Sequence, residues 1–195
     1  MSKNISVDSI KELRDKTGIS VMQCKKALEE AGGDMEKALV ILRKKSSDIA
    51  AKKGDRELGS GAIGSYLHNN GTIGAMVVLQ SETDFVSKNE EFRKLAYDIA
   101  MHVAATNPTY LSMNDIPEND REKAKEVFKK EAEGKPKEMI EKIVEGKLNS
   151  YFKDQVLLEQ AFIKNPDVII STLITEAVQK FGERVAIASF TRLKV

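Results

Sequence analysis

Gly61-Ala-Ile-Gly-Ser-Tyr-Leu-His68 and Thr72-Ile-Gly-Ala-Met-Val-Val-Leu-Gln-Ser81 stand on either side of Asn69-Asn70-Gly71. Asn-Gly accepts the positive φ angles that a tight hairpin turn demands, so this stretch predicts two antiparallel strands. Far along the chain, Arg184 to Leu193 alternates Val185, Ile187 and Ser189 against Ala186, Ala188 and Phe190, which is the period of a third strand. Between them lie helices. Ser87-Lys-Asn-Glu90 has the spacing of a capping box, and Phe92, Leu95, Ala96, Ile99 and Val103 follow on one helical stripe that ends at Asn107-Pro108. Further helices are expected at about 117–133, 136–148 and 167–181. Strand, strand, a run of helices and a closing strand give an α+β fold, with a three-stranded antiparallel sheet packed against several helices.

Upstream, residues 5 to 45 read as three short helices. Ile10, Leu13 and Arg14 ride the first, and Gly18 suits its left-handed cap. Ser20-x-x-Gln23 opens the second, which carries Val21, Cys24, Ala27 and Leu28 and stops at Gly32-Gly33. Asp34 caps the third, whose apolar positions are Ala38, Leu39, Ile41 and Leu42. From 43 to 56, Arg43, Lys44, Lys45, Lys52, Lys53 and Arg56 face only Asp48 and Asp55. Such a segment is either a solvated helical linker or a nucleic-acid contact, and a basic linker can also steer an acidic partner. The organisation is therefore a three-helix domain at 1–45, a basic linker at 46–60 and an α+β core at 61–195.

Composition narrows the function. The chain has 195 residues, 31 Lys+Arg against 30 Asp+Glu, a net charge of +1, and is 41% hydrophobic. It carries no basic excess of the kind that drives nucleic-acid binding, and it is too apolar for wholesale disorder. One cysteine, Cys24, excludes an intrachain disulfide and a cysteine-based zinc site. The first residues are charged every few positions, unlike a secretory signal, and no run is long and apolar enough to span a bilayer. A cytoplasmic location, no cofactor and no membrane partner are the expectations.

Little in the sequence supports covalent chemistry. Gly54 to Gly59 has the glycine spacing of a phosphate loop, but Ser60 stands where lysine is required. His68 sits beside the hairpin turn as a surface residue, and His102 borders an apolar stripe as a core-edge residue. The segment that stands out is Ser81-Glu-Thr-Asp-Phe-Val-Ser-Lys-Asn89, which joins a buried strand to a helix. In one reading Asp84 bonds its own backbone in a turn and Phe85 folds into the core. In the other, a rigid loop presents Asp84 and Phe85 to a partner.

The stretch Leu13-Arg-Asp-Lys-Thr-Gly-Ile-Ser-Val-Met-Gln-Cys-Lys-Lys-Ala-Leu28 resembles the N-terminal signature of the elongation factor Ts family, and Glu82-Thr-Asp-Phe-Val-Ser-Lys88 resembles its second signature. Ala100-Met-His-Val-Ala-Ala105, Gly134-Lys-Pro-Lys-Glu138, Ile143-Val-Glu-Gly-Lys147 and Leu157-Leu-Glu-Gln160 are similar to further family blocks, in the family's order. Val78 stands where the family usually has Glu, Gln80 replaces a usual Asn, and Ala161 takes a position that is often Pro. The chain resembles the short, single-core form, which implies a homodimer joined through the sheet.

The resemblance implies a guanine nucleotide exchange factor, not an enzyme of covalent chemistry, with elongation factor Tu as partner and no direct nucleic-acid contact. Thr83, Asp84, Phe85 and Val86 would insert near the partner's magnesium site, with Phe85 as a wedge between helices and Asp84 disturbing the groups that orient the ion's waters. The three-helix domain resembles a ubiquitin-associated fold and would dock through Arg14, Val21 and Met22, although Val21 also suits the small core. His102 matches a histidine that helps displace a phosphate-binding segment in longer relatives. In a dimer, one subunit's Phe85 and the other's His102 would serve the same partner. A ubiquitin-associated-type helical adaptor is the rival reading, and it leaves the last 150 residues unexplained.

Overall fold

Three amphipathic helices open the computed structural model, which describes residues 5–69, 71–132 and 136–195. They are α1 (Val7–Thr17), α2 (Val21–Glu30) and α3 (Met35–Lys52). Ser6, Ser20 and Asp34 each accept a first-turn amide, and Gly18 closes α1 at φ 67° while donating to Arg14 O at 2.7 Å. Such caps satisfy groups that a short helix otherwise leaves to water. The strands are β1 (Ser60–Leu67), β2 (Ile73–Ser81), β3 (Ala161–Phe162), β4 (Asn165–Ile169) and β5 (Val185–Lys194). The remaining helices are α4 (Asp84–Ser87), α5 (Glu90–Thr106), α6 (Glu118–Glu131), α7 (Lys137–Lys153) and α8 (Ile170–Phe181).

β1, β2 and β5 form the antiparallel sheet in the order β1-β2-β5, so the strand from the chain's end pairs with the second strand of the hairpin. His68 donates to Ile73 O at 2.9 Å next to the turn, and Val195 donates to Thr72 O at 2.9 Å. A Cβ on Gly61 would stand 2.6 Å from Leu79 O, so only glycine fits there. The fold is α+β, as the strand pattern implies. Asn70, half of the turn signal, and Gly134 and Lys135 of one family block lie outside the described residues.

The chain divides into two compact units. The first takes the described residues of Met1–Gly64, together with Val78–Ala96 and Ser171–Ala188. Leu13, Ile19, Cys24, Ala27, Leu28, Ala38 and Leu42 make the small core of its three helices. α8 lies against them through a buried polar chain: Ser46 Oγ donates to Gln179 Oε1, and Gln179 Nε2 to Gln23 Oε1 at 3.0 Å. Phe92 meets Phe181 edge to face at 5.8 Å.

The basic segment is built into this unit. Arg43 lies 3.6 Å from Glu176, Lys45 is 2.6 Å from Glu30, Lys53 Nζ donates to Gly182 O at 2.5 Å, and Arg56 pairs with Glu82. These partners are 15 to 133 residues away in sequence, which is why the run reads as a linker there. α3 also continues to Lys52, so residue 45 falls inside a helix.

The second unit comprises Ser65–Val77, Tyr97–Ile170 and Ser189–Val195. Ile116, Phe152 and Val156 form a core with Tyr110, Met113 and Leu148 packed on it. The helix expected from 167 begins at Ile170, because Asn165–Ile169 pairs as β4 with β3, Ala161 opposite Ile169 and Phe162 opposite Asn165. Arg192 Nε caps the C-terminal end of α5 by donating to Ala104 O at 2.9 Å.

Candidate functional site

The segment after β2 is not a loose connection. Thr83 is extended (φ −125°, ψ 162°), and Asp84–Ser87 then make the single helical turn α4, with Ser87 N–H reaching Thr83 O at 3.3 Å and Lys88 N–H reaching Asp84 O at 3.0 Å. At about 100° per residue, one turn sends neighbouring side chains to different sides. Val86 and Ser87 point inward and are buried, whereas Asp84 and Phe85 point to solvent, Phe85 at 85% exposure. Phe85 therefore does not fold into the core, and the Asp84 carboxylate, besides the local backbone amides of Asp84 and Phe85, pairs with Lys88 Nζ at 2.6 Å. That hydrogen bond and charge hold the Asp84 carboxyl below its usual range.

The turn rests on a braced base. Glu82 accepts both contacts from Arg56 Nη1 (3.0 and 3.2 Å) and the Arg184 N–H at 2.5 Å. The Arg184 amide above all, then Arg56, lowers the Glu82 carboxyl. Thr83 donates its N–H to Glu183 Oε2 at 3.0 Å and its hydroxyl to Glu183 Oε1 at 2.6 Å. Ser81 Oγ donates to Thr83 O at 2.9 Å, and Ser87 Oγ lies 2.7 Å from Ser60 Oγ. The expected capping box is corrected here. Ser87 is spent on Ser60, and Asn89 caps α5 by accepting the Glu91 N–H at 2.8 Å.

An exposed phenyl ring on a backbone fixed from four directions is pre-organised for contact, because ordering costs are already met in the free protein. Among the described residues, no group of His, Cys, Asp and Glu side chains could hold a metal ion. No described helix is long and apolar enough to cross a membrane.

The other sequence-derived candidates fall in two places. Val21 (51% exposed) and Met22 (68%) open α2 with their side chains in solvent, and Arg14 is exposed on α1 across the Gly18 turn. Val21 thus does not complete the small core, whose place at this turn is filled by Ile19 and Cys24. Burial raises the Cys24 thiol.

His102 belongs to the interior. It is wholly buried in the second unit. Ile163 N–H donates to its Nδ1 at 3.3 Å, so the neutral ring carries its proton on Nε2, 2.9 Å from Gln160 Oε1. Gln160 Nε2 in turn donates to Asp154 O at 2.6 Å. Burial lowers the His102 pKa, opposed by the Gln160 bond. In this fold the ring shows no exposed surface and ties the β3–β4 hairpin to α5. Glu183 carries no signal in the sequence: it is a lone glutamate after Gly182 whose partner lies 100 residues away.

Comparison with known proteins places these features in a family. Residues 48–195 match the family model described as Elongation factor TS. The chain is 52% identical to Elongation factor Ts of Thermodesulfovibrio yellowstonii over 98% of its own length and 96% of that protein's. It is 47% identical to Elongation factor Ts of Thermosipho melanesiensis, covering 98% of both chains. Against Elongation factor Ts of Carboxydothermus hydrogenoformans it is 47% identical, over 98% of this chain and 89% of the other.

Proposed function

Because this chain belongs to the elongation factor Ts family and so serves translation elongation, we propose that it is a guanine nucleotide exchange factor that works by wedge insertion. It binds elongation factor Tu in the GDP state and accelerates nucleotide release, and GTP then loads. The observation that carries this reading is Phe85, 85% exposed on a one-turn helix whose base is tied by Glu82, Thr83 and Ser87.

The physical requirement is reciprocity: a factor that weakens nucleotide binding is itself weakened by nucleotide to the same degree. A coupling of about 4 kcal/mol corresponds to roughly a thousandfold in affinity. Disturbing the ion that neutralises the phosphates is an effective route, since a bound magnesium ion is a large local charge. Phe85 supplies the steric part, as a planar ring that loses little rotamer freedom on insertion. Asp84 competes for donors around the ion, and Thr83 and Val86 fix the turn. Arg14, Val21 and Met22 form a second contact on the three-helix segment, for which their exposure speaks. The working state is a cytoplasmic homodimer joined through the sheet, where Leu67, Met76 and Leu193 leave apolar side chains uncovered.

The deciding experiment follows release of a fluorescent GDP from cognate elongation factor Tu, with wild-type protein and with Phe85→Ala. Acceleration by wild type, lost in a folded variant, supports the wedge. A well-folded wild type that leaves the rate unchanged ends the reading. Sedimentation analysis tests the dimer, and a monomer at working concentration removes it.

A further inference from the structure

Thr83 precedes α4 at the position where a threonine hydroxyl ordinarily caps its own helix by accepting an amide two or three residues on. Here it makes no such bond. Its hydroxyl and its amide both turn to one carboxylate, Glu183, at 2.6 and 3.0 Å. The adjoining residues repeat the arrangement in reverse, since Glu82 beside Thr83 takes the amide of Arg184 beside Glu183 at 2.5 Å. Two neighbouring carboxylates are thus exchanged between the α4 segment and the α8–β5 connection. That connection is anchored in turn. Gly182 turns at φ 70° and its carbonyl receives Lys53 Nζ, while the Arg184 guanidinium donates to Arg56 O.

The geometry points to Glu183 as a positioning residue that holds the Phe85 wedge in its working orientation. It acts through Thr83. A carboxylate accepting two hydrogen bonds is the strongest acceptor that can serve both the amide and the hydroxyl, and the bonds are charge-assisted. Without it, Thr83 N–H loses its acceptor, its hydroxyl is free to cap α4, and the turn carrying Phe85 samples other orientations. The consequence for exchange rests on the proposed function; the clamp itself does not.

The test has two arms. In the free protein, amide hydrogen exchange at Thr83 and Ser87 should quicken about tenfold in Glu183→Ala, as expected for loss of a charge-assisted bond. In the assay with elongation factor Tu, the same variant should lower the maximal rate of GDP release about tenfold and shift the half-saturating concentration less than threefold, because only the aligned fraction of wedge is productive. Glu183→Gln, which keeps one acceptor oxygen, should recover most of that rate. Thr83→Val combined with Glu183→Ala should be no slower than the slower single variant, since both remove one interaction. Unchanged Thr83 and Ser87 amides, or additive losses in the double variant, overturn the clamp. Full exchange activity in Glu183→Ala, where Phe85→Ala is inactive, also overturns it. Should wild type itself fail to accelerate release, the exchange reading falls and the amide arm alone decides the clamp.

Discussion

The α4 turn and the His102 pocket are both named by their likeness to the same family, and the chain treats them in opposite ways. The turn spends its polar groups on the base, Thr83 on Glu183 and Glu82 on Arg56 and Arg184, and leaves its one large apolar side chain in water. The pocket spends an ionisable ring on two internal hydrogen bonds and shows nothing outside. Exposed apolar surface on an ordered backbone has a cost that burial in a partner can offset, whereas a buried neutral histidine is already satisfied. The two sites differ in where unsatisfied free energy lies: at the surface for Phe85, and nowhere for His102.

The sharpest way to break that contrast is to truncate each centre. Phe85→Ala should lower the rate of GDP release by about 30-fold or more, the loss typical of an aromatic anchor of 2 kcal/mol or above. Its unfolding midpoint in denaturant should stay at the wild-type value, because the ring contributes almost no buried area. A variant that loses stability as well as activity would return Phe85 to the core.

His102→Ala should behave in reverse. Removing a wholly buried ring leaves a cavity and strands the Ile163 amide, while Gln160 Oε1 keeps only the Thr106 hydroxyl, a cost of about 2–4 kcal/mol. The denaturation midpoint of the second unit should fall accordingly, while GDP release at a temperature where the variant is folded should change less than threefold. Loss of exchange in a variant of unaltered stability would assign His102 to the partner surface after all.

What local patterns reveal, and what they hide, divides along the same line. The hairpin, the third strand and the caps at Ser20, Asp34 and Gly18 were legible because each depends on residues within a few positions. β3 and β4 were not: Asn165-Pro-Asp167 reads as the start of a helix, and only two of the five β4 residues are covered. α4 is four residues long, too short for any period to register, so Thr83 to Val86 read as a loop. Ser87 has the spacing of a cap, and only its bond to Ser60, 27 residues earlier, shows that it is engaged elsewhere. The family motif singles out Thr83 to Val86, but whether Phe85 faces core or solvent is decided by tertiary contacts at Val86, Ser87 and Glu183.

Acidity offers a gentler probe of the pocket. The folded protein holds His102 below its ordinary value near 6.5, so the unfolded chain binds the proton more readily. Stability is therefore complete above that pH and falls as pH drops from about 6.5 toward the lower folded value. The depressed carboxylates Glu82, Asp84 and Asp34 also lose stability on acidification, but from near or below pH 4.5. Between pH 7.5 and 5.5 the wild-type midpoint should decline, and His102→Asn, which cannot take up the proton, should flatten the decline. An unchanged slope would place the titrating group elsewhere.

The smallest effect belongs to Lys88. Its ammonium holds the Asp84 carboxylate at 2.6 Å, yet both groups lie in water, where such a pair contributes little to folding. Lys88→Met should leave the midpoint unchanged and free Asp84 to meet donors on the partner. If the carboxylate competes for groups near the magnesium ion, the variant should release GDP up to threefold faster at low ionic strength, and the gain should shrink as salt screens the pair. A loss of rate would mean that the pairing aims Asp84, which would extend the bracing of the turn from its base to its exposed face.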